Sequence, residues 1–130
     1  GATYGVSVYG DATNQPKNLF SLQISFDTDP KLYQRMDSLC YDEIKTIAEK
    51  GPKSEDLNKV KLNLMKQYKE DILENGWWIG AIGSYYKDGI NQVTDYEKTV
   101  EALSAESFSA LAKEMLRNGN LIEVFLQPQP

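Results

Sequence analysis

The stretch Gly1-Ala-Thr-Tyr-Gly-Val-Ser-Val8 indicates the fold more clearly than any other part of the chain. Its composition is typical of a β-strand that is already under way at residue 1, with no cap or turn before it. The segment Asn120-Leu-Ile-Glu-Val-Phe-Leu-Gln127 predicts another strand, which ends at Pro128. A chain that opens within a strand and closes after a finished one is expected to be a single partial domain, residues 1–130, truncated at its N-terminus.

A second strand is predicted directly after the first. Apolar residues alternate with polar ones over residues 19–26, and this period of two buries one face of a sheet. The apolar positions are Phe20, Leu22, Ile24 and Phe26. In the first strand the corresponding side carries Ala2, Tyr4, Val6 and Val8. Turn-forming residues 10–18 lie between the strands, so we expect a long hairpin loop.

Beyond the hairpin, the apolar period changes to 3.6, which predicts helices. Five are expected, and they begin at Asp29-Pro30, Ser54, Trp77, Thr94 and Ser104. Thr94 and Glu97 match a capping box at the start of the fourth helix, and Ser104 is predicted to cap the fifth. The third, Trp77–Tyr86, is apolar nearly all round and is predicted to be a short buried helix. The resulting order β-β-α-α-α-α-α-β is an α+β fold, in which helices pack on one face of a small antiparallel sheet.

The composition excludes several classes of function. The net charge of −5 argues against a nucleic-acid partner, whose phosphates require a basic surface. The longest nearly uninterrupted apolar stretch, Trp77–Ile82, is far shorter than the roughly 20 residues that span a membrane. The chain contains no histidine, so it lacks the commonest zinc ligand and the commonest general base. We therefore expect no catalytic residue and no metal ligand in this chain.

Six segments share their order and spacing with one known family. They are Gly1–Val8, Leu19–Phe26, the helix start Asp29-Pro30, Ser54–Glu74, Ser104-Ala-Glu-Ser-Phe108 and Asn118–Pro128. Through these segments the chain resembles the C-terminal half of a domain of the pitrilysin/insulinase family of zinc metallopeptidases. The resemblance implies that the chain is part of a larger metallopeptidase-type domain.

The resemblance also implies a function. Members of the family hold zinc through a His-x-x-Glu-His motif and a further Glu, all in the N-terminal catalytic domain, and none of these occurs here. The chain is then expected to be a non-catalytic domain fragment of a zinc metalloendopeptidase, inactive alone, with zinc in the parent protein. It would contribute binding surface for a peptide substrate, together with the catalytic domain. The alternative is a catalytically inactive relative that acts as a scaffold or partner subunit.

One substrate-binding residue follows from the resemblance. The family places an arginine and a tyrosine in its non-catalytic half, where both reach the bound peptide. The tyrosine falls on Tyr4, and the arginine is expected before Gly1. A phenol donates a hydrogen bond to a peptide carbonyl without adding a charge beside a metal. An ordinary strand tyrosine, half buried against a helix, remains the alternative.

Three other features of the sequence bear on function. Trp77-Trp78 with Tyr85-Tyr86 could form a platform that stacks on sugars, but the surrounding apolar helix favours a core position. Cys40 lies on the apolar side of its helix, which suits a small buried hydrophobe better than a nucleophile. The first strand, residues 3–9, is expected to leave an edge without a neighbour, and such edges favour an edge-strand homodimer.

Overall fold

Two antiparallel strands followed by five helices form the described part of the chain, residues 3–126 of a computed structural model. The strands are β1 (Thr3–Thr13) and β2 (Leu19–Thr28). The helices are α1 (Tyr33–Lys50), α2 (Ser54–Asp71), α3 (Asn75–Asp88), α4 (Tyr96–Ala102) and α5 (Ala105–Asn118). The predicted α+β class is confirmed, as is the order of the hairpin and the five helices.

The hairpin has one apolar and one polar face. Val6 lies opposite Phe26 and Val8 opposite Ile24, whereas Ser7 lies opposite Ser25 on the other face. Helix α1 packs on the β2 side of the apolar face, so Ile24 and Phe26 are partly buried. Val6 and Val8 remain 49% and 64% exposed. The apolar face of β1 is therefore largely uncovered by the described residues.

The helices form two packed clusters. In the first cluster, α1 packs along α5 and buries Met36, Ala48 and Ala112. The Ser109 hydroxyl on α5 donates a hydrogen bond to the Ala48 carbonyl, which ties the two helices together.

In the second cluster α2 packs against α4, and Trp77 of α3 packs on Tyr68 of α2. The buried side chains of these three helices are Tyr68, Ala81 and Val100. Lys61 on α2 donates from its ammonium to the Glu101 carbonyl of α4 at 2.8 Å. This polar contact reinforces the packing between the two helices.

Two helices begin later in the chain than predicted, because a hydrogen-bonded turn precedes each of them. The Asp29 carboxylate accepts from the Lys31 amide at 2.7 Å, so it caps a turn, and α1 itself begins at Tyr33. Likewise, the Asn91 side chain accepts from the Thr94 amide, and α4 begins at Tyr96 without the predicted capping box. The predicted cap of α5 is confirmed, because Ser104 accepts from the Ser107 amide.

The predicted closing strand does not form in the described residues. Residues 119–126 have no regular secondary structure, because a strand requires a hydrogen-bonded neighbour and none is placed beside them. The segment 120–126 instead runs beside α1, where the ring centroids of Phe125 and Tyr33 are 4.8 Å apart. Ala2 and Gln127, which the sequence assigns to the first and closing strands, lie outside the described residues.

Side chains of the segment 120–126 still alternate as they would in a strand. Phe125 is 47% exposed, whereas Ile122, Val124 and Leu126 are 85%, 84% and 99% exposed. Phe125 and Glu123 thus lie beside α1, whereas the even-numbered apolar side chains are largely exposed. A strand with apolar residues on both sides is typical of a sheet that is covered on both faces.

The chain exposes more surface than a protein of its size usually does. Its solvent-accessible area is 10732 Å². A compact monomer of 14.7 kDa has about 6,900 Å² by the usual scaling of surface with mass. The difference, about 3,800 Å², means that this chain buries less of its surface than a compact monomer of the same mass does. None of the helices within residues 3–126 has the length and apolarity needed to cross a membrane.

Candidate functional site

Tyr4 lies in a β-bulge near the start of β1. Thr3 pairs with Thr28 and Val6 pairs with Phe26, so two residues, Tyr4 and Gly5, stand opposite the single residue Asp27. A bulge of this kind kinks the strand and changes the direction of a side chain, and bulges are frequent beside functional sites. The regular alternation expected for Tyr4, Val6 and Val8 is therefore interrupted between Tyr4 and Val6.

Local hydrogen bonds hold the bulge in place. The Thr3 hydroxyl donates to the Gly5 carbonyl at 2.8 Å and accepts from the Gly5 amide at 3.1 Å. The Thr3 side chain thus provides a hydrogen-bond partner for both the amide and the carbonyl of Gly5. Nothing lies within 4 Å of the position that a Gly5 side chain would take, so the bulge is open to a ligand.

The Tyr4 side chain is fully exposed to solvent. It does not lie half buried against a helix, the alternative that the sequence left open. Its hydroxyl has no hydrogen-bond partner among residues 3–126 and is free to donate to a ligand. The only facing carboxylate in the hairpin register is that of Asp27, which is also exposed.

The expectation that residues 77–86 form a buried core helix is wrong. Helix α3 contains one buried residue, Ala81, whereas Trp78, Ile79, Ile82, Tyr85 and Tyr86 are exposed. A shallow depression of about 250 Å³ lies between part of this face and residues 91–93. The apolar character of α3 around its whole circumference predicts burial, but the described residues pack against only one side of it.

Trp77 is the aromatic residue of α3 that packs inward. Its ring lies edge-on to Tyr68 at 5.7 Å, and Tyr68 stacks on Tyr96 at 4.2 Å. Desolvation raises the pKa of Tyr96, and the negative charge of Asp71 and the neighbouring Tyr68 raise it further. The Tyr68 hydroxyl donates to the Val93 carbonyl at 3.2 Å, so this group stabilises the second cluster.

The exposed aromatic rings do not form a flat platform for sugars. The Trp77 and Trp78 rings are perpendicular, at 90°, and the Tyr85 and Tyr86 rings meet at 83°. Stacking on a sugar requires an accessible flat face, and neighbouring rings at right angles offer no continuous one. The Trp78 indole N–H donates to the Ile72 carbonyl at 2.9 Å, which fixes its ring against α2.

A small group of acidic side chains lies where the segment 120–126 meets α1. The negative charge of Asp37 raises the pKa of the exposed Glu123 carboxyl. Cys40, one helical turn from Asp37, is partly buried, and desolvation followed by the charge of Asp37 raises the pKa of its thiol. A raised thiol pKa reduces the reactive thiolate, as expected for a cysteine that is not a nucleophile. Among residues 3–126, no group of three or more acidic or cysteine side chains is arranged to hold a metal ion.

The site and its scaffold define an α+β unit with the exposed Tyr4 in a bulge of the strand β1. The fold is similar to that in the crystal structure of a protease from Helicobacter pylori, with a TM-score of 0.67 at 14% sequence identity. The similarity covers 83% of this chain and 26% of that protein, so the chain spans about a quarter of its length. No protein-family model matches the chain, and no curated protein sequence matches it significantly.

Proposed function

We propose that this chain is a non-catalytic C-terminal domain fragment of a zinc metalloendopeptidase of the pitrilysin/insulinase type. It contributes substrate-binding surface to a chamber in which a peptide is degraded. The observation that carries the proposal is the shared fold with the Helicobacter pylori protease over 83% of the chain. The resemblance of the six sequence segments to the family gives independent support, and zinc and the catalytic domain belong to the parent protein.

The exposed apolar surface supports a place within a larger domain. Its most exposed parts are the outer face of α3, including Ile79 and Tyr86, and the even-numbered side of the segment 120–126. Both surfaces have the composition of a protein interior, and a larger domain would cover them with further strands and helices. The 26% share of the Helicobacter pylori protease that the chain covers leaves ample polypeptide for this purpose.

Tyr4 is the residue that we assign to the substrate. The bulge and the hydrogen bonds of Thr3 hold its backbone, and its hydroxyl is free to donate to a peptide carbonyl. A donor of this kind binds the carbonyl oxygen more strongly as negative charge develops on it during hydrolysis. Removing such a donor from a dry site typically raises the barrier by about 2.7–4 kcal/mol.

The test compares two tyrosines of β1 in the parent protease. Replacement Tyr4→Phe deletes one hydroxyl and should lower kcat/KM for a fluorogenic peptide by about 10²–10³-fold. Tyr9→Phe is the matched control, because Tyr9 lies on the same strand and is also exposed, and it should retain activity. Equal activity of the Tyr4→Phe and wild-type enzymes would refute the role of Tyr4.

Two further measurements separate the proposal from its alternative. The 130-residue chain alone should neither cleave peptides nor retain stoichiometric zinc after washing, as measured by elemental analysis. The longer polypeptide should contain a His-x-x-Glu-His sequence and cleave peptides in a zinc-dependent manner. If it lacks that sequence and cleaves nothing, the chain belongs to an inactive scaffold or partner subunit instead.

A further inference from the structure

Two Asn-Gly dipeptides, Asn75-Gly76 and Asn118-Gly119, lie at opposite ends of helices. Asn75 is the first residue of α3, and Asn118 is the last residue of α5. Both dipeptides are exposed to solvent. Asparagine is thermolabile, because the backbone amide nitrogen of the next residue can attack its side-chain carbonyl carbon. Glycine in the next position favours this attack, since it has no β-carbon beside the nitrogen.

The amide of Gly119 is not held by a hydrogen bond. Gly51, Gly89 and Gly119 each follow the last residue of a helix and have a positive φ. The amides of Gly51 and Gly89 donate to the Ile47 and Tyr85 carbonyls at 2.8 and 3.0 Å. The Gly119 amide has no acceptor at hydrogen-bonding distance and angle among residues 3–126. Its nitrogen is therefore free to act as a nucleophile once the proton is lost.

The two asparagines differ in how firmly a helix holds their backbone. Closure of a ring between the side chain and the next amide nitrogen requires the asparagine to leave the helical value of ψ. At Asn75 this rotation breaks the first turn of α3, because its carbonyl accepts from the amide four residues further on. The Asn118 carbonyl is one of the terminal carbonyls of α5 that have no partner within the helix, so the same rotation breaks no helical hydrogen bond.

From these observations we propose that Asn118 is a site of spontaneous deamidation, and that it reacts faster than Asn75 in the folded chain. The Gly119 nitrogen forms a bond to the side-chain carbonyl carbon of Asn118. Its proton passes through solvent to the departing amino group, which leaves as ammonia. Water then opens the cyclic imide at either carbonyl carbon and gives aspartate or isoaspartate. The reaction consumes water, releases an equivalent of ammonia and is independent of the protease function.

Either product changes the junction between α5 and the segment 120–126. A new carboxylate at the C-terminus of α5 lies at the negative end of the helix dipole, which is unfavourable. Isoaspartate also lengthens the backbone by a methylene group. The added length displaces the segment, whose Phe125 ring contacts Tyr33 of α1.

The test uses Asn75-Gly76 as an internal control. The whole chain is incubated, folded and in urea, in mildly alkaline buffer made with water that carries a heavy oxygen isotope. Peptide mapping by mass spectrometry measures the rate at which each site gains the isotope and separates aspartate from isoaspartate. Each rate in the folded chain is divided by the rate of the same site in urea, which removes the influence of flanking residues. Circular dichroism confirms that the folded sample stays folded.

We expect folding to slow the reaction of Asn75 more than that of Asn118. The turn that must open at Asn75 contributes at least one helical hydrogen bond, so the normalised rate at Asn118 should be higher by about 2–10-fold. Asn118→Gln, whose longer side chain would close a less favourable ring, should abolish labelling at that position and leave the rate at Asn75 unchanged. A normalised rate at Asn118 no higher than that at Asn75, or no labelling of Asn118 in the folded chain, overturns the proposal.

Discussion

Replacement of Gly51 by alanine should destabilise the chain more than the same replacement at any other glycine that the structure describes. Gly51 ends α1 with φ 72° and ψ 174°, a backbone conformation that only glycine adopts readily. Its amide donates to the Ile47 carbonyl at 2.8 Å, so the residue cannot rotate without losing the last hydrogen bond of the helix. A β-carbon added there would lie 2.9 Å from the Ala105 β-carbon and 3.0 Å from the Ala105 carbonyl oxygen.

The magnitude follows from two separate penalties. The backbone conformation costs a non-glycine residue about 1–3 kcal/mol. The close approach to Ala105, at the start of α5, adds an overpacking cost of about 1–3 kcal/mol, because backbone atoms rather than a flexible side chain must move. Their sum, about 2–6 kcal/mol, is a large part of the 5–15 kcal/mol by which a typical domain is stable.

Gly89→Ala is the matched control. Gly89 also has a positive φ, 71°, but nothing lies within 4 Å of its β-carbon position. The control should therefore lose only the conformational penalty, about 1–2 kcal/mol. Urea unfolding followed by far-ultraviolet circular dichroism gives the free energy of unfolding for both variants. Equal losses for Gly51→Ala and Gly89→Ala would refute the argument that contact with Ala105 limits this turn.

Two further predictions concern α5 and α1. Ser104→Ala removes the acceptor for the Ser107 amide and should lower the free energy of unfolding by about 1 kcal/mol in urea titrations, and an unchanged midpoint would contradict the role of this cap. The raised pKa of Cys40 means less thiolate at pH 8, so a disulfide reagent should modify the folded chain more slowly than the urea-unfolded chain. Asp37→Asn should accelerate the reaction in the folded chain. Identical rates for the folded chain, the unfolded chain and the folded Asp37→Asn variant would show that burial and the charge of Asp37 do not slow the reaction of Cys40.

The sequence predicts the local structure well where local chemistry decides it. The alternation over residues 19–26 predicts β2 and its apolar side, and Ser104 predicts the cap of α5. Both features depend on residues within a few positions of each other. The fold class follows from the order of these local signals.

Features that depend on distant neighbours could not be predicted in the same way. The apolar residues of α3 and of the segment 120–126 are consistent with burial, but burial requires a facing surface, which no local pattern can supply. The bulge at Tyr4 was also missed, because it arises from the register between Thr3–Val6 and Phe26–Thr28. The glycine at position 5 is the only signal that could have indicated it.

The separation of the helices into two clusters has a consequence for how this molecule can be observed. Both indole rings, Trp77 and Trp78, lie in the second cluster, whereas Gly51 and Cys40 lie in or beside the first. Tryptophan fluorescence therefore does not report the separation of α1 from α5, while circular dichroism sums the helical signal of the whole molecule. Transitions that fail to coincide between the two signals would show that the two halves of the helical layer lose their order independently.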